Sequence, residues 1–358
     1  MALDMHVGVV GHARIAALVG GDGLVALAAE PIDRPDLSGA VYRAKIIRRD
    51  ATAGFTIVDL GDREAMLPGA SPSTAIFLVQ VRRAARDGKR PEATTDIILP
   101  GRFLMAAPTL SDVKTSSRLR NAKTQRDRAV RLGLTAGWIL RQSFAEASDA
   151  DIDADAQRLS ALVQRLADGG VPGPVLPPHP VWSRVVLDEG APAQVYAPAD
   201  LALAVRADLR ALGLDPPFAG DPCDLEELTA PLRTPEVALP RGGRLTIEPT
   251  RALIAIDVDA GAAGAEAANT AAVDAVARQL RLRNIGGIVV IDLVSQRSDW
   301  RPVIDRFRRA LAEDPARTTI AGGVSPLGLL QLSRERRGLS LAEALDESPR
   351  VVETSPNG

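Results

Sequence analysis

The chain has 358 residues, 46% of them hydrophobic, and a formal net charge of −2. That length suits two or three domains with sizeable cores. The near-balanced charge excludes a globally basic nucleic-acid binder, so any polyanion must be met by local patches. One cysteine, Cys223, and three scattered histidines, His6, His12 and His179, exclude an intrachain disulfide framework and a cysteine zinc cluster. Carboxylates remain as metal ligands, and they suit a hard cation such as magnesium. The N-terminus lacks a charged start followed by a long apolar run, and no stretch approaches a membrane span. A cytoplasmic protein with no membrane partner is therefore expected.

Residues 5–30 alternate apolar and small side chains around Gly20, Gly21 and Gly23, which predicts a hairpin of two short strands. Further short strands are predicted at 41–47, 54–61, 65–69, 75–81 and 97–99, separated by glycine turns, the pattern of a small antiparallel barrel. Residues 111–134 are polar and basic, with Lys114, Arg118, Arg120, Lys123, Arg126, Arg128 and Arg131. An apolar strand follows at 137–141. A helix is predicted at 149–167, with aspartates at its positive end and an apolar stripe of Leu159, Leu162, Val163 and Leu166. Residues 171–180 are rich in proline and read as a linker. Residues 181–240 mix strands with a helix near 201–212, and 243–345 alternate strand and helix in the manner of an α/β layer. No internal repeat is visible.

Two apolar runs, 253–257 and 288–292, each finish in an aspartate, Asp257 and Asp292, with a helix-like segment between them. Two strands joined by a helix can place both carboxylates at one sheet edge. Close carboxylates repel unless a cation sits between them. Each aspartate alone also reads as a strand-end cap or a surface charge.

The stretch Ile247-Glu248-Pro249-Thr250-Arg251-Ala252-Leu253-Ile254-Ala255-Ile256-Asp257, the pair Asn269-Thr270, the run Ala277-Arg278-Gln279-Leu280-Arg281-Leu282-Arg283-Asn284-Ile285-Gly286-Gly287-Ile288-Val289-Val290-Ile291-Asp292, and Gly328-Leu329-Leu330-Gln331-Leu332-Ser333-Arg334-Glu335-Arg336 carry a resemblance. Over residues 244–341 the chain resembles the catalytic region of the ribonuclease E/G family. Residues 39–46 and 58–61 resemble that family's OB barrel of the S1 type, 94–104 its closing strand, and 137–141 the strand leading to its 5′-end sensor pocket.

The resemblance implies an α+β and α/β multidomain architecture. Residues 1–35 and 179–245 would form an RNase-H-like platform, 36–110 an OB-fold RNA-binding barrel, and 111–178 a 5′-sensor-like segment and linker. Residues 246–345 would form a deoxyribonuclease-I-like catalytic subdomain, with 346–358 as a tail. It implies a magnesium-dependent, single-strand-specific endoribonuclease that leaves 5′-phosphate and 3′-hydroxyl ends, with manganese able to replace magnesium. The alternative is an RNA-binding homologue with weakened catalysis. The family's Cys-Pro-x-Cys segment and small domain are missing, so no zinc and no zinc-linked dimer are expected, leaving a monomer or a differently built homodimer.

By position, Asp257 and Asp292 would hold the metal, and Asp259 and Asn269 would join the catalytic set. Asp259 stands where the family carries asparagine, so it would act as a third ligand or repel the phosphate. Asn269 also reads as a helix N-cap. Lys89, Arg102, Arg281, Arg283 and Arg334 would contact RNA, although arginines at a helix end also serve the helix dipole and solvent. Ile57 and Met66 occupy the family's two stacking positions, with Phe55 on the same strand face as Ile57. Arg141 and Gln142 would sense a 5′-phosphate; an edge-strand arginine is the plain reading.

Overall fold

The computed structural model describes residues 2–69, 72–85, 90–295, 299–312 and 314–346. Lys89 and residues 347–358 of the expected tail lie outside the described residues. The chain divides into two compact units, one of residues 1–33, 193–199 and 218–346, the other of 34–192 and 200–217.

The first unit opens with β1 (Asp4–Val10), β2 (Ala13–Gly20) and β3 (Gly23–Pro31), an antiparallel meander. The sequence predicts two strands here. The extra turn at Gly11-His12 is invisible to a pattern reading because the apolar alternation runs through it.

The second unit begins with a barrel of β4 (Val41–Asp50), β5 (Phe55–Asp59), β6 (Glu64–Pro68), β7 (Ile76–Arg83) and β8 (Glu92–Thr94). β4 pairs with both β5 and β7, and β8 joins β6 to β7, so the five strands close on themselves. Tyr42, Ala44, Val58, Leu60, Ala65, Leu67, Val79, Val81 and Ala93 fill the interior. Closure removes free sheet edges, and five strands in this arrangement fit an OB-like fold. The expected last strand at 97–99 is not part of it. β9 (Leu99–Pro100), β10 (Leu104–Ala106), β11 (Lys114–Thr115) and, after α1 (Ala122–Arg131), β12 (Trp138–Leu140) form a separate sheet of order β11-β12-β10-β9.

α2 (Asp149–Ala167) matches its predicted span. Ser148 caps it by accepting the Asp151 N–H. The buried Asp155 carboxylate accepts the N–H groups of Phe103 and Leu104 at 2.8 and 3.1 Å, tying the helix to β10. The proline-rich segment is not a free linker, because β13 (Gly173–Leu176) pairs with β4. α3 (Val181–Glu189) follows. β14 (Gln194–Tyr196) then adds to the first unit's meander, parallel to β1. α4 (Ala199–Ala211) lies mostly in the second unit, where Trp182 Nε1 donates to Asp208 at 2.9 Å.

His179 precedes α3, and burial together with Arg184 and Arg141 lowers its pKa to about 4. An unfolded histidine titrates near 6.5. The folded state therefore holds the neutral ring, and stability is lost as pH falls from about 6.5 toward 4. The expected loss reaches roughly 2–3 kcal/mol by pH 4. Urea titrations across that window should show it, with a flatter profile in His179→Gln.

The chain returns to the first unit through α5 (Leu225–Arg233), β15 (Glu236–Ala238), β16 (Arg244–Pro249), β17 (Ile254–Asp259), α6 (Ala265–Leu282), β18 (Gly287–Asp292), α7 (Arg301–Ala312), β19 (Thr318–Ala321), β20 (Leu329–Arg334) and α8 (Leu341–Leu345). Its second sheet has the order β15-β16-β17-β18-β20-β19, with only β17 and β18 parallel. A parallel pair needs a crossover, which α6 supplies. Val273, Val276 and Leu280 of α6 and Ile304 and Phe307 of α7 pack on Ile256, Val258, Val289, Ile291, Leu330 and Leu332. The helices thus cover one face, while Asp257, Asp259, Ile288, Asp292, Gln331 and Ser333 are exposed on the other.

Candidate functional site

Strand alternation decides which face each side chain takes. Ile256 and Val258 point to the helices, so Asp257 and Asp259 must point away from them. On β18 the same rule buries Val289 and Ile291 and exposes Asp292. The register then brings two of the three acids together, because Asp257 and Asp292 are direct partners on the parallel pair. Neighbouring strands run about 4.8 Å apart, close enough for both carboxylates to reach one cation. Among the described residues, neither carboxylate has a hydrogen-bond or ion-pair partner. Two like charges at that separation repel by about 1 kcal/mol in water. A cation between them would reverse the sign.

Asp259 is held differently. Its Oδ1 accepts the Gly261 N–H at 3.0 Å, and its Oδ2 lies 3.5 Å from Arg244 Nη2 on the facing strand. Gly261 has φ +54, and a Cβ there would fall 2.4 Å from Gly242. No group of three acid, histidine or cysteine side chains is placed to share a metal among the described residues. The expected third ligand is therefore corrected: Asp259 closes a turn and pairs with Arg244, which also lies 3.6 Å from Glu236. That partner follows from the register of the β16–β17 hairpin, countable outward from the Thr250–Leu253 turn once the turn is recognised.

Asn269 is neither an N-cap nor open to a reacting group. It is fully buried inside the first turns of α6. Its Nδ2 donates to the Val294 carbonyl at 2.8 Å, and its Oδ1 accepts the Val294 N–H at 3.0 Å. The amide thus clamps the segment that follows Asp292. Asn269→Ala should cost about 2 kcal/mol in urea unfolding, because both Val294 backbone groups lose their partner. Gly328 lies beside the same carboxylate. It has φ +86, and a Cβ added there would be 3.1 Å from the Leu293 carbonyl and 3.9 Å from Asp292 Oδ1. Glycine leaves that side of Asp292 open.

The basic candidates fall elsewhere. α6 starts at the carboxylate edge and ends near the start of β18, so Arg281 and Arg283 lie at its far end. Arg281 is partly buried. Arg283 is 8% exposed and donates to Gln279 Oε1 at 2.7 Å. Arg334 pairs with Gly287, five residues along the strand from the row of Asp292, or roughly 17 Å. Its guanidinium grips buried Asp314 at 2.7 and 2.8 Å and donates to the Ile285 carbonyl at 2.6 Å. Arg283 and Arg334 are thus structural, contrary to the expected phosphate contacts.

On the barrel, Thr56 and Val58 face inward, and Phe55 and Ile57 share the outer face of β5. Ile57 is only 5% exposed and pairs with Met66, so it offers no stacking platform. Phe55 and Met66 are partly exposed. Arg102 is partly buried, with its guanidinium 4.6 Å from the Phe103 ring centre. Arg141 is 8% exposed, donates to the Leu187 carbonyl and lies 3.8 Å from Asp188. The expected phosphate clamp is therefore already occupied from within the second unit, and Gln142 beside it is exposed.

Residues 218–337 match the model of the Ribonuclease E/G family, a stretch that contains both unpaired aspartates. The chain is 30% identical over 304 residues to a Ribonuclease E of Synechocystis sp., covering 74% of this chain and 44% of that one. It is 27% identical over 320 residues to a Ribonuclease G of Salmonella typhimurium, covering 75% and 61%. A Ribonuclease E of Buchnera aphidicola is 41% identical over 119 residues, covering 30% and 13%. The chain thus spans about half the length of the first two relatives, 44% and 61%. With the carboxylate pair inside the matched stretch and the likeness running through both units, this chain belongs to the ribonuclease E/G family.

Proposed function

We propose that the protein is a magnesium-dependent endoribonuclease that hydrolyses single-stranded RNA to 5′-phosphate and 3′-hydroxyl ends. The observation that carries this reading is the pairing of Asp257 with Asp292 on adjacent parallel strands, both exposed and without partners among the described residues. The donor set fits the metal. Two carboxylates suit a hard cation that keeps several waters, and Gly328 leaves space beside Asp292. When bound there, magnesium lowers the pKa of a water and polarises a phosphoryl oxygen.

The chain's own residues supply the rest. Asp257 and Asp292 would hold the cation at the carboxyl ends of β17 and β18, the usual ligand edge of parallel strands. Asn269 fixes the segment after Asp292. Arg244, shared between Asp259 and Glu236, partly offsets the Asp259 charge that would face an incoming phosphate. In the reaction, water oxygen bonds to phosphorus in line with the departing 3′-oxygen, which leaves as a hydroxyl. Phe55, Met66, Arg102 and Lys89 are the proposed RNA contacts. We further assign the meander and β14 to an RNase-H-like platform and the β15–β20 sheet to a deoxyribonuclease-I-like subdomain, which moves the expected boundary at residue 246 back to β15 because β15 pairs with β16.

The test is incubation of the full chain with end-labelled single-stranded RNA and magnesium, followed by analysis of the product ends. Internal cleavage to 5′-phosphate and 3′-hydroxyl ends is expected. Salt-sensitive binding without cleavage would overturn it in favour of a catalytically weakened RNA-binding homologue.

A further inference from the structure

We propose that α1 and the turn before it form a polyanion-binding surface, a second contact for the phosphate backbone of RNA that is separate from the carboxylate pair. The identity of the polyanion rests on the ribonuclease reading; the surface itself rests on α1. Residues 114–131 hold seven lysines and arginines against one acid, Asp127, in a chain whose net charge is −2. Arg128 is used internally, donating to Asp149 and to the Phe144 and Ala147 carbonyls. Lys114 pairs with Asp112. Arg120, Lys123, Arg126 and Arg131 are exposed and have no ion pair or hydrogen bond among the described residues.

The helical period puts the cations on one side. At 3.6 residues per turn, Lys123, Arg126, Val130 and Arg131 fall within an arc of about 140°, and Ala129, the helix's only buried residue, lies outside that arc, next to Arg126. The placement of Lys123 also opposes local preference, whereas Arg131 in the last turn follows it. The first turn of α1 has no acidic residue and carries Lys123, where the helix dipole disfavours positive charge. Local rules are broken most often where a site requires it. Val130, 60% exposed, is the one large apolar side chain on that face, so it lacks the apolar stripe that a membrane-surface helix buries. A ten-residue helix is about 15 Å long, enough to follow several phosphates. The barrel's outer face lost Ile57 as a platform by burial, so grip on RNA must draw more on charge.

The experiment uses the full chain carrying Asp292→Asn, which is expected to slow cleavage, without added magnesium, and with and without Lys123→Gln, Arg126→Gln and Arg131→Gln together. Binding of a fluorescein-labelled single-stranded RNA of about 20 nucleotides is measured against salt concentration. Each phosphate neutralised on a single strand contributes about 0.7 to the log–log slope. Loss of three contacts should flatten the slope by about 2 and weaken binding about a hundredfold near 0.1 M salt. The charge-keeping set Lys123→Arg, Arg126→Lys and Arg131→Lys should retain the original slope.

An unchanged slope in the glutamine variant overturns the proposal. So does equal flattening in the charge-keeping set, which would mean that folding was disturbed. Binding to vesicles of phosphatidylserine and phosphatidylcholine that needs the three cations, with RNA binding untouched, would overturn it in favour of a lipid surface. Because the readout is binding, a wild-type chain that fails to cleave RNA sinks the ribonuclease reading and leaves this one standing.

Discussion

Asp292→Asn is expected to lower the rate of RNA cleavage at saturating magnesium by roughly a thousand-fold, about 4 kcal/mol of transition-state stabilisation. The size follows from the donor set. Only two carboxylates share the edge, so removing one charge halves what holds the cation. The fold should not suffer, because Asp292 is exposed and makes no hydrogen bond or ion pair among the described residues. Without metal, the variant should be up to about 1 kcal/mol more stable, since a like-charge pair at facing strand positions is relieved. Magnesium should raise the melting temperature of the wild type and do so far less in the variant. Thermal melts with and without magnesium, beside the cleavage assay, separate a lost cation from a lost fold. A variant that cleaves at the normal rate would remove the two-carboxylate site from the mechanism.

The largest effect on stability is expected at Arg334. Its side chain and that of Asp314 are each 3% exposed, and their two bonds are joined by a third to the Ile285 carbonyl. Removing one partner leaves a buried charge unpaired, which costs about 3–5 kcal/mol. Domains are stable by only about 5–15 kcal/mol, so Arg334→Ala should unfold at much lower urea. The double variant Arg334→Met with Asp314→Leu should recover most of that loss, because an apolar pair of similar volume avoids desolvating two ions. Normal stability with weakened RNA binding in Arg334→Ala would instead restore the phosphate-contact reading of this residue.

These two residues show what a pattern reading can and cannot resolve. Asp292 and Arg334 both end strands in the same motif stretch, and both are charged. Asp292 falls on the open face by alternation, which can be read from Val289 and Ile291 alone. Arg334 falls on the helix face, and its burial depends on Asp314, twenty residues away along a different path. The same contrast separates α2, whose span is local and legible, from the barrel's closing strand. Strand β8 was missed because three residues carry little periodicity, and only pairing with β6 and β7 identifies it. Ile57 lies on its expected strand and Arg141 falls one residue beyond the end of β12, yet the exposure of both is set by segments that pack on them later in the fold.

What the amino-acid order determined by itself is the alternation of β17 and β18, the helix between them, and the delivery of one carboxylate to the end of each strand. Those features depend on side chains a few residues apart, within reach of strand and helix periods. The tertiary structure decided which charges are free. It paired Asp259 with Arg244, buried Arg283 and Arg334, turned Asn269 into a clamp on Val294, and left the cations of α1 in solvent. Charge pairing is a matter of register and packing between distant segments, and its free energy changes sign with burial, so no local pattern carries it.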